Sequence, residues 1–141
     1  MIFDKLFAKK EYSDEFLKFH EAFPKEHIPE RQFLNVNGTE YHQQGLAKLE
    51  LGRNYVELEH EKGNRHDRNA VRVMGDGRKI GYIPKTVSEK YRRYVEYGLI
   101  DYAYADVTEK KVKDLDDDDM PATYFIRSAT ININFKKYKE E

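Results

Sequence analysis

The stretch GNRHDRNAVRVMGDGRKIGYIPK, residues 63–85, contains a complete strand–turn–strand pattern. It opens with turn-forming residues and then alternates, which places Val71 and Val73 on one side of a predicted strand. Asp76 and Gly77 are a hairpin turn signal, and residues 80–83 give the returning strand before Pro84 ends it. We therefore predict a β-hairpin over residues 71–83 that is entered through a polar loop.

Several other strand patterns surround this hairpin. Residues 32–36 are typical of a strand, and the turn signal at Asn37 and Gly38 predicts that residues 40–43 return beside it. Residues 55–60 alternate, and residues 99–107 are strand-like and precede a polar loop. Residues 122–135 predict a last long strand, or a bent pair, whose apolar face is formed by Phe125, Ala129, Ile131, Ile133 and Phe135.

An amphipathic pattern precedes the strands. Ser13 is a predicted N-cap, and apolar residues then recur at helical spacing until Pro24, namely Phe16, Leu17, Phe19 and Phe23. Nearer the start, a second helical face is formed by Ile2, Phe3, Leu6 and Phe7. We predict that residues 1–33 form an N-terminal helical extension and that residues 34–141 form the β domain.

One helix interrupts the strands after the hairpin. Thr86 and Glu89 match a capping box, and Gly98 is a C-terminal cap, so we predict a capped helix over about residues 86–97. Many short strands with one inserted helix predict a mainly β fold with some α structure. The expected architecture is a small, partly open β-barrel that this helix closes.

The composition excludes several classes of protein. There are no cysteines, which excludes disulfides, thiolate catalysis and cysteine-ligated zinc. No stretch approaches the roughly 18 apolar residues of a membrane span, and the N-terminus does not resemble a signal peptide. We expect a cytoplasmic protein that does not contact a membrane.

Charge is distributed unevenly although the formal net charge is only −1. Residues 62–93 contain ten Lys or Arg and three acidic residues, a local net charge of +7, whereas acidic residues cluster at Asp114 and residues 116–119. The basic segment is either a solvated surface or a surface for an anion such as nucleic acid.

Turn formation explains Asn64, Asp67 and Asn69 but not the cations among them. A cationic loop beside tyrosine-bearing strands suits single-stranded nucleic acid.

Catalytic motifs are absent from the sequence. The five histidines show no zinc-site spacing, and neither a nucleophile elbow nor a phosphate-binding glycine-rich motif occurs. We therefore predict no catalytic residues, no metal site, no cofactor and no enzymatic activity. A metal-dependent nuclease with scattered carboxylates remains an alternative.

Two sequence blocks resemble the HIRAN domain family. These specific blocks are Asn64-x-His66-Asp67-x-Asn69-Ala70-Val71 and Ile80-Gly81-Tyr82-Ile83-Pro84-Lys85, and the accompanying pieces are Val36-Asn37-Gly38, Tyr41, the turn of residues 49–52 and Val56-Glu57-Leu58. The resemblance covers roughly residues 34–135. It implies an OB-like β-barrel that binds DNA and that captures the 3′ end of a single strand in fork-remodelling translocases.

The resemblance also implies a set of binding residues. By motif, the end-binding pocket would contain Tyr41, Asn64, His66, Asp67 and Lys85. The cationic neighbours Arg65 and Arg68 complete the predicted DNA-binding set. His66 stands where the family usually has Tyr, and Glu40 stands where DNA-end-binding members have Arg.

The leading functional hypothesis is a non-enzymatic module that recognises single-stranded DNA, at a free 3′-OH end, in DNA repair or replication-fork processing. The alternative is a protein–protein interaction module, in which residues 1–33 dock a protein partner or a second copy and the barrel is a scaffold.

Overall fold

Six antiparallel strands form one curled sheet. The computed structural model describes residues 10–115 and 118–140. The strands are β1 (Arg31–Asn35), β2 (Gly52–His60), β3 (Val71–Gly75), β4 (Arg78–Tyr82), β5 (Ile100–Leu115) and β6 (Pro121–Phe135). Their order in the sheet is β1–β6–β5–β2–β3–β4. The predicted mainly β, barrel-like fold is confirmed. Outside the described ranges lie the predicted helical face of residues 1–9 and two residues of the acidic cluster, Asp116 and Asp117.

The sheet curls because β2 belongs to both of its halves. The first part of β2, from Gly52 to Val56, pairs with β5, and residues 57–60 pair with β3. The two sheet edges then meet at one bridge, where Asn37 and Tyr82 exchange two backbone hydrogen bonds of 2.8 Å. We call this bridge the seam. It closes a barrel that is otherwise open between β1 and β4.

Glycine is required at the seam. A Cβ atom on Gly81 would lie 2.5 Å from the carbonyl oxygen of Asn37 and 2.6 Å from a methyl carbon of Val36. Real Cβ contacts are not this short, so a side chain at this position would force the two edges apart. The glycine of the Ile80-Gly81-Tyr82-Ile83 block therefore allows the barrel to close.

The barrel is filled by apolar side chains from the strands and is covered by helices. The inward side chains of β3, β5 and β6 include Val71, Val73, Ala103, Ala105, Ile131 and Ile133. Helix α3 (Ser88–Glu96) closes one end with Tyr91 and Tyr94, whose rings lie 6.2 and 5.3 Å from the ring of Phe135. As predicted, Gly98 adopts a left-handed conformation after this helix, with φ of 69°.

Helix α1 (Asp14–Ala22) forms where the sequence predicts it. Ser13 is the N-cap, and its hydroxyl oxygen accepts a hydrogen bond from the backbone of Phe16 at 3.1 Å. Phe16 and Phe19 are buried in the same core as the barrel side chains, and the Phe19 ring lies 5.4 Å from that of Tyr94. The division into residues 1–33 and 34–141 stays a prediction, as does a partner or dimer at residues 1–33. Within the described ranges, no helix combines the length and apolarity of a membrane span.

The predicted return strand over residues 40–43 is wrong. A 3₁₀ turn (Thr39–Tyr41) and the short helix α2 (Gln43–Ala47) occupy this region. The amide side chain of Gln43 donates to the carbonyl oxygen of Arg127 at 2.8 Å and accepts from its N–H at 2.9 Å. Because these bonds occupy the edge of β6, the segment docks there as a helix rather than as another strand.

The predicted polar loop after residue 107 is also wrong, because β5 continues to Leu115. From Thr108 onward it pairs with residues 121–128 of β6 alone, which gives a two-stranded extension that we call the ribbon. Backbone pairing forms the ribbon and its side chains remain largely in solvent. Phe125, predicted on the apolar face of β6, is therefore 59% exposed.

The predicted capping box at Thr86 and Glu89 is not formed. A 3₁₀ turn (Lys85–Val87) precedes α3, and Val87 is its N-cap without a side-chain hydrogen bond. The helical region still covers the predicted segment. The hydroxyl at the start of the helix belongs to Ser88, and it donates to Asp67 of a distant loop.

Candidate nucleic-acid interface

The loop between β2 and β3 is folded by its own side chains. The Oδ1 atom of Asn64 accepts hydrogen bonds from the backbone N–H groups of His66 at 2.8 Å and Asp67 at 2.9 Å. Asp67 Oδ1 accepts from the N–H of Asn69 at 2.9 Å. These contacts are the side-chain-to-backbone turns that favour Asn and Asp in loops. They fix the course of residues 64–69 without an apolar core of their own.

The same loop is tied to the start of α3. The Ser88 hydroxyl donates to Asp67 Oδ2 at 2.7 Å, and the Lys85 ammonium donates to the carbonyl oxygen of His66 at 3.3 Å. A carboxylate beside a helix N-terminus is also favoured by the helix dipole. Asp67 therefore links two segments that are 21 residues apart in the sequence.

A hydrogen-bonded cluster around Glu61 supports the loop from behind. One carboxylate oxygen accepts from the Asn64 amide at 3.1 Å and from the Tyr82 hydroxyl at 2.7 Å, and the other accepts from Lys79 at 2.9 Å. Burial alone would raise the pKa of Glu61, but the hydrogen bonds from Tyr82, Lys79 and Asn64 together hold its pKa below the ordinary value. Glu61 is thus a charged acceptor that fixes three side chains.

These segments surround a cavity of about 330 Å³ at the seam, which we call the seam pocket. It is lined by Asn37, Gly38, Tyr41, His42, Asn64, His66, Asp67, Ala70, Tyr82, Ile83 and Lys85. Five of the seven predicted binding residues line it, namely Tyr41, Asn64, His66, Asp67 and Lys85. The other two, Arg65 and Arg68, do not line it and lie elsewhere on the same loop.

Aromatic groups flank the mouth of the seam pocket. Tyr41 is 82% exposed, so its ring is free to contact a ligand. The His42 ring lies edge-on to the Tyr82 ring at 6.1 Å. Burial lowers the pKa of His42, and the nearby Lys79 cation lowers it further. His42 therefore contributes a neutral ring at neutral pH.

Cations of the basic segment divide into two groups. Arg72, Lys79, Arg92 and Arg93 form ion pairs with glutamates, namely Glu59, Glu61, Glu96, Glu26 and Glu89. In the part of the chain that the structure describes, the other six belong to no ion pair, and three of these six lie on the loop or the turn beside the seam pocket, namely Arg65, Arg68 and Lys85. Uncompensated positive charge is therefore present on the loop and the turn that border the seam pocket.

Sequence reasoning missed three supporting residues. Glu61 continues the alternation of Glu57 and Glu59, which is a detectable signal for a strand-end carboxylate. The strand pattern favours barrel packing for Tyr82, although its hydroxyl belongs to the Glu61 cluster. Ser88 falls inside the predicted capping box, and no local pattern shows its contact with Asp67.

No cluster of three or more His, Asp or Glu side chains that could hold a metal ion occurs among residues 10–115 and 118–140. The metal-dependent nuclease alternative therefore has no candidate ligand set in this part of the chain.

Comparison with known proteins identifies the family. A family model described as HIRAN domain matches residues 29–123. The crystal structure of the HIRAN domain of human HLTF is similar in fold, with a TM-score of 0.50 and 16% identity over 76% of each chain. A crystal structure of a protein from Lactobacillus plantarum has a TM-score of 0.43 and 23% identity over 74% of this chain and 98% of that chain. A search of curated proteins gave no match. The family model spans more than half of the sequence, so this chain belongs to the HIRAN domain family, whose members are known as DNA-binding modules.

Proposed function

We propose that this chain is a non-enzymatic DNA-binding module that holds single-stranded DNA by a free 3′-OH end. The observation that carries the proposal is the convergence of five motif residues on the seam pocket: Tyr41, Asn64, His66, Asp67 and Lys85. They bring an exposed aromatic ring, a cation and a carboxylate to one cavity. A module of this kind suits DNA repair or replication-fork processing.

The pocket offers complementary groups to a nucleotide. The exposed ring of Tyr41 is available to stack on a base, which contributes about 1–3 kcal/mol in single-strand complexes. Lys85 supplies a cation for the phosphate that precedes the terminal sugar. Arg65 and Arg68, outside the pocket on the same loop, would contact phosphates farther along the strand.

Asp67 is the group that would select a strand end. Each of its carboxylate oxygens accepts one hydrogen bond within the protein, and each retains capacity for another. A terminal hydroxyl can donate to it, whereas a phosphate at the same place is repelled. The carboxylate therefore favours a 3′-OH end over the middle of a strand.

Fluorescence anisotropy with labelled DNA tests the proposal. Strands ending in 3′-OH or 3′-phosphate and a blunt duplex would be compared at two salt concentrations. We expect the tightest binding to the 3′-OH strand, and we expect affinity to fall with salt because phosphate contacts release counterions. Failure to bind any of the three DNAs would contradict the proposal, as would affinity independent of salt. Incubation with magnesium or manganese should leave the DNA intact, and cleavage would support the nuclease alternative.

Asp67→Asn removes the negative charge of this side chain and should preserve the fold of its loop. The amide retains an oxygen for the Asn69 N–H and can also bond to the Ser88 hydroxyl, so the loop should fold as before. Removing the negative charge should reduce the preference for 3′-OH over 3′-phosphate by about tenfold or more, the range of hydrogen bonds to charged groups. Ser88→Ala is the control, because it removes one hydrogen bond of Asp67 but keeps its charge. A preference that survives in Asp67→Asn would show that Asp67 only shapes the loop.

A further inference from the structure

A second cavity lies beside the seam pocket. It has a volume of about 530 Å³ and is bounded by the connector before β1, by β1 itself and by α3, and we call it the α3 cleft. Its polar groups include Lys25, Lys90 and the hydroxyls of Tyr91 and Tyr94, and its apolar wall includes Leu34. None of these residues belongs to the predicted DNA-binding set.

The α3 cleft contains donors that have no partner. Tyr91 and Tyr94 are only 3% and 1% exposed, yet among the described residues neither hydroxyl makes a hydrogen bond. Neither oxygen is among the side-chain atoms that are both shielded from solvent and unpartnered, so each hydroxyl keeps a small solvent contact, and both tyrosines line the cleft. Burial raises the pKa of both tyrosines, so each hydroxyl keeps its proton and can donate. A ligand oxygen in the cleft could accept from both of them.

The cleft is also cationic. In the described part of the chain, Lys25 and Lys90 belong to no ion pair, and both line the cleft. Glu26 lines it as well; one of its carboxylate oxygens pairs with Arg93, which also contacts Glu89, and the other is shielded from solvent without a hydrogen bond. The two lysines therefore outnumber the single carboxylate of the cleft. Two free ammonium groups and two hydroxyl donors around one cavity are the groups that bind a phosphate.

Two chain segments connect the cleft with the seam pocket. Leu34 lines the cleft and Asn37 lines the pocket, three residues farther along the chain, which spans at most about 10 Å. On the opposite side, Lys85 lines the pocket, whereas Val87 and Lys90 line the cleft. A nucleic-acid strand whose end lies in the pocket can therefore continue along these two segments to the cleft.

We propose that the α3 cleft binds a backbone phosphate of the same single strand whose 3′ end occupies the seam pocket. Lys25 and Lys90 neutralise the phosphate, and the tyrosine hydroxyls donate to its oxygens. This inference rests on the proposed function and extends it from end recognition to recognition of strand length.

The test uses 3′-OH oligonucleotides of two, four, six and eight nucleotides. With the unaltered protein, affinity should rise with length until the strand reaches the cleft. In Lys25→Ala/Lys90→Ala, dinucleotide affinity should be unchanged and octanucleotide affinity should fall about tenfold. The slope of log affinity against log salt should become shallower by about 0.7, because one backbone phosphate is no longer neutralised.

A matched control removes the same charge elsewhere. Lys110 and Lys113 are exposed on the ribbon. The variant Lys110→Ala/Lys113→Ala should bind the octanucleotide as the unaltered protein does. Equal octanucleotide affinity of the two double variants would overturn the proposal, as would equal weakening of short and long strands. If the unaltered protein binds no length at all, the proposed function itself fails.

Tyr91→Phe provides the same test if the double variant does not fold. The ring contacts with Tyr94 and Phe135 are kept, and the hydroxyl that is removed has no partner in the described part of the chain. Thermal stability should therefore be unchanged, while octanucleotide affinity falls and dinucleotide affinity does not. Unchanged octanucleotide affinity in this folded variant would overturn the assignment.

Discussion

The two halves of the barrel use polar side chains in different ways. In the half formed by β2, β3 and β4, polar groups such as Glu61, Lys79 and Tyr82 bond to one another and shape the seam pocket. In the half formed by β1, β5 and β6, backbone pairing dominates, and polar groups such as Gln43 and Arg127 hold a helix in place. The Glu61 cluster thus shapes the site, whereas Gln43 and Arg127 stabilise the fold away from it. Changes in the Glu61 cluster should alter binding as well as stability, and changes at Gln43 and Arg127 should alter stability alone.

The largest effect is expected at the seam, where the two halves meet. In Gly81→Ala, the new methyl group would clash with Asn37 and Val36, so the bridge between the sheet edges should open. We expect the free energy of unfolding to fall by about 1–3 kcal/mol or more, as for other overpacked sites, together with loss of single-strand binding. Thermal denaturation and anisotropy would measure the two effects.

Gly75→Ala is the matched control for Gly81→Ala in the same hairpin. The nearest atom to its Cβ would be the end of the Leu49 side chain at 3.0 Å, which can move. It should therefore destabilise less and keep DNA binding. Equal behaviour of the two variants would show that the seam has no special importance.

Arg127→Ala probes the polar contacts that hold helix α2 in place, away from the site. Its guanidinium donates to the carbonyl oxygens of Leu46 at 3.0 Å and Leu49 at 2.8 Å, and to Glu109 at 3.0 Å. Removing these bonds should lower the free energy of unfolding by about 1–3 kcal/mol, because helix α2 and the turn after it lose their anchor. Chemical denaturation would measure the decrease. DNA affinity well below the unfolding temperature should not change, and a large fall would contradict the division between the halves.

The Glu61 cluster predicts a pH dependence in the half that carries the site. The pKa of Glu61 lies below its ordinary value of 4.5 in the folded protein. Its contribution to stability is therefore fully present above pH 4.5 and is lost as the pH falls through the folded-state pKa. Glu61→Gln should be less stable than the unaltered protein at neutral pH, and this difference should shrink in acid. Denaturation midpoints at neutral pH and in acid below the folded-state pKa would show it, and a constant difference would contradict the assignment.

The smallest effect is expected for a cation that is already paired. Arg72 donates to Glu59 at 2.9 Å on the surface, and such pairs contribute about 0–1 kcal/mol. Arg72→Ala should change stability by no more than this and should leave DNA affinity nearly unchanged, whereas Lys85→Ala should weaken binding several-fold. Salt titrations of both variants by anisotropy would distinguish them. Equal losses of affinity would show that only the total charge of the segment matters.

Local patterns predicted the elements that local interactions determine. The turn at Asp76 and Gly77 has left-handed φ values of 51° and 74°, as the hairpin signal requires, and Ser13 caps its helix. The capping box is absent because residues 85–87 form a 3₁₀ turn and the helix begins at Ser88, so Thr86 is not its N-cap. The bond from Ser88 to Asp67 joins distant segments, and no local pattern shows it. The β5 strand of the ribbon, residues 108–115, was missed because its charged residues bury too little to show alternation, whereas the β6 strand of the ribbon lies almost entirely within the predicted strand of residues 122–135.

The site was only partly accessible from the sequence. The loop cations and turn residues were visible in the local pattern, and the family motif placed Tyr41 and Lys85 with them. The Glu61 cluster was not predicted, because its hydrogen bonds depend on how β2 and β4 approach one another. The positions of Arg65 and Arg68 outside the cavity also required the fold.

The single bridge at the seam has a mechanical consequence. One side of the seam pocket is formed by Asn37, Gly38 and Tyr41, and the opposite side is formed by Tyr82, Ile83 and Lys85. A molecule that fills the pocket contacts both sides. It therefore holds together the two sheet edges that are joined by the Asn37–Tyr82 bridge. Ligand binding in the pocket and closure of the barrel then stabilise each other, and the barrel should open least often when the pocket is occupied.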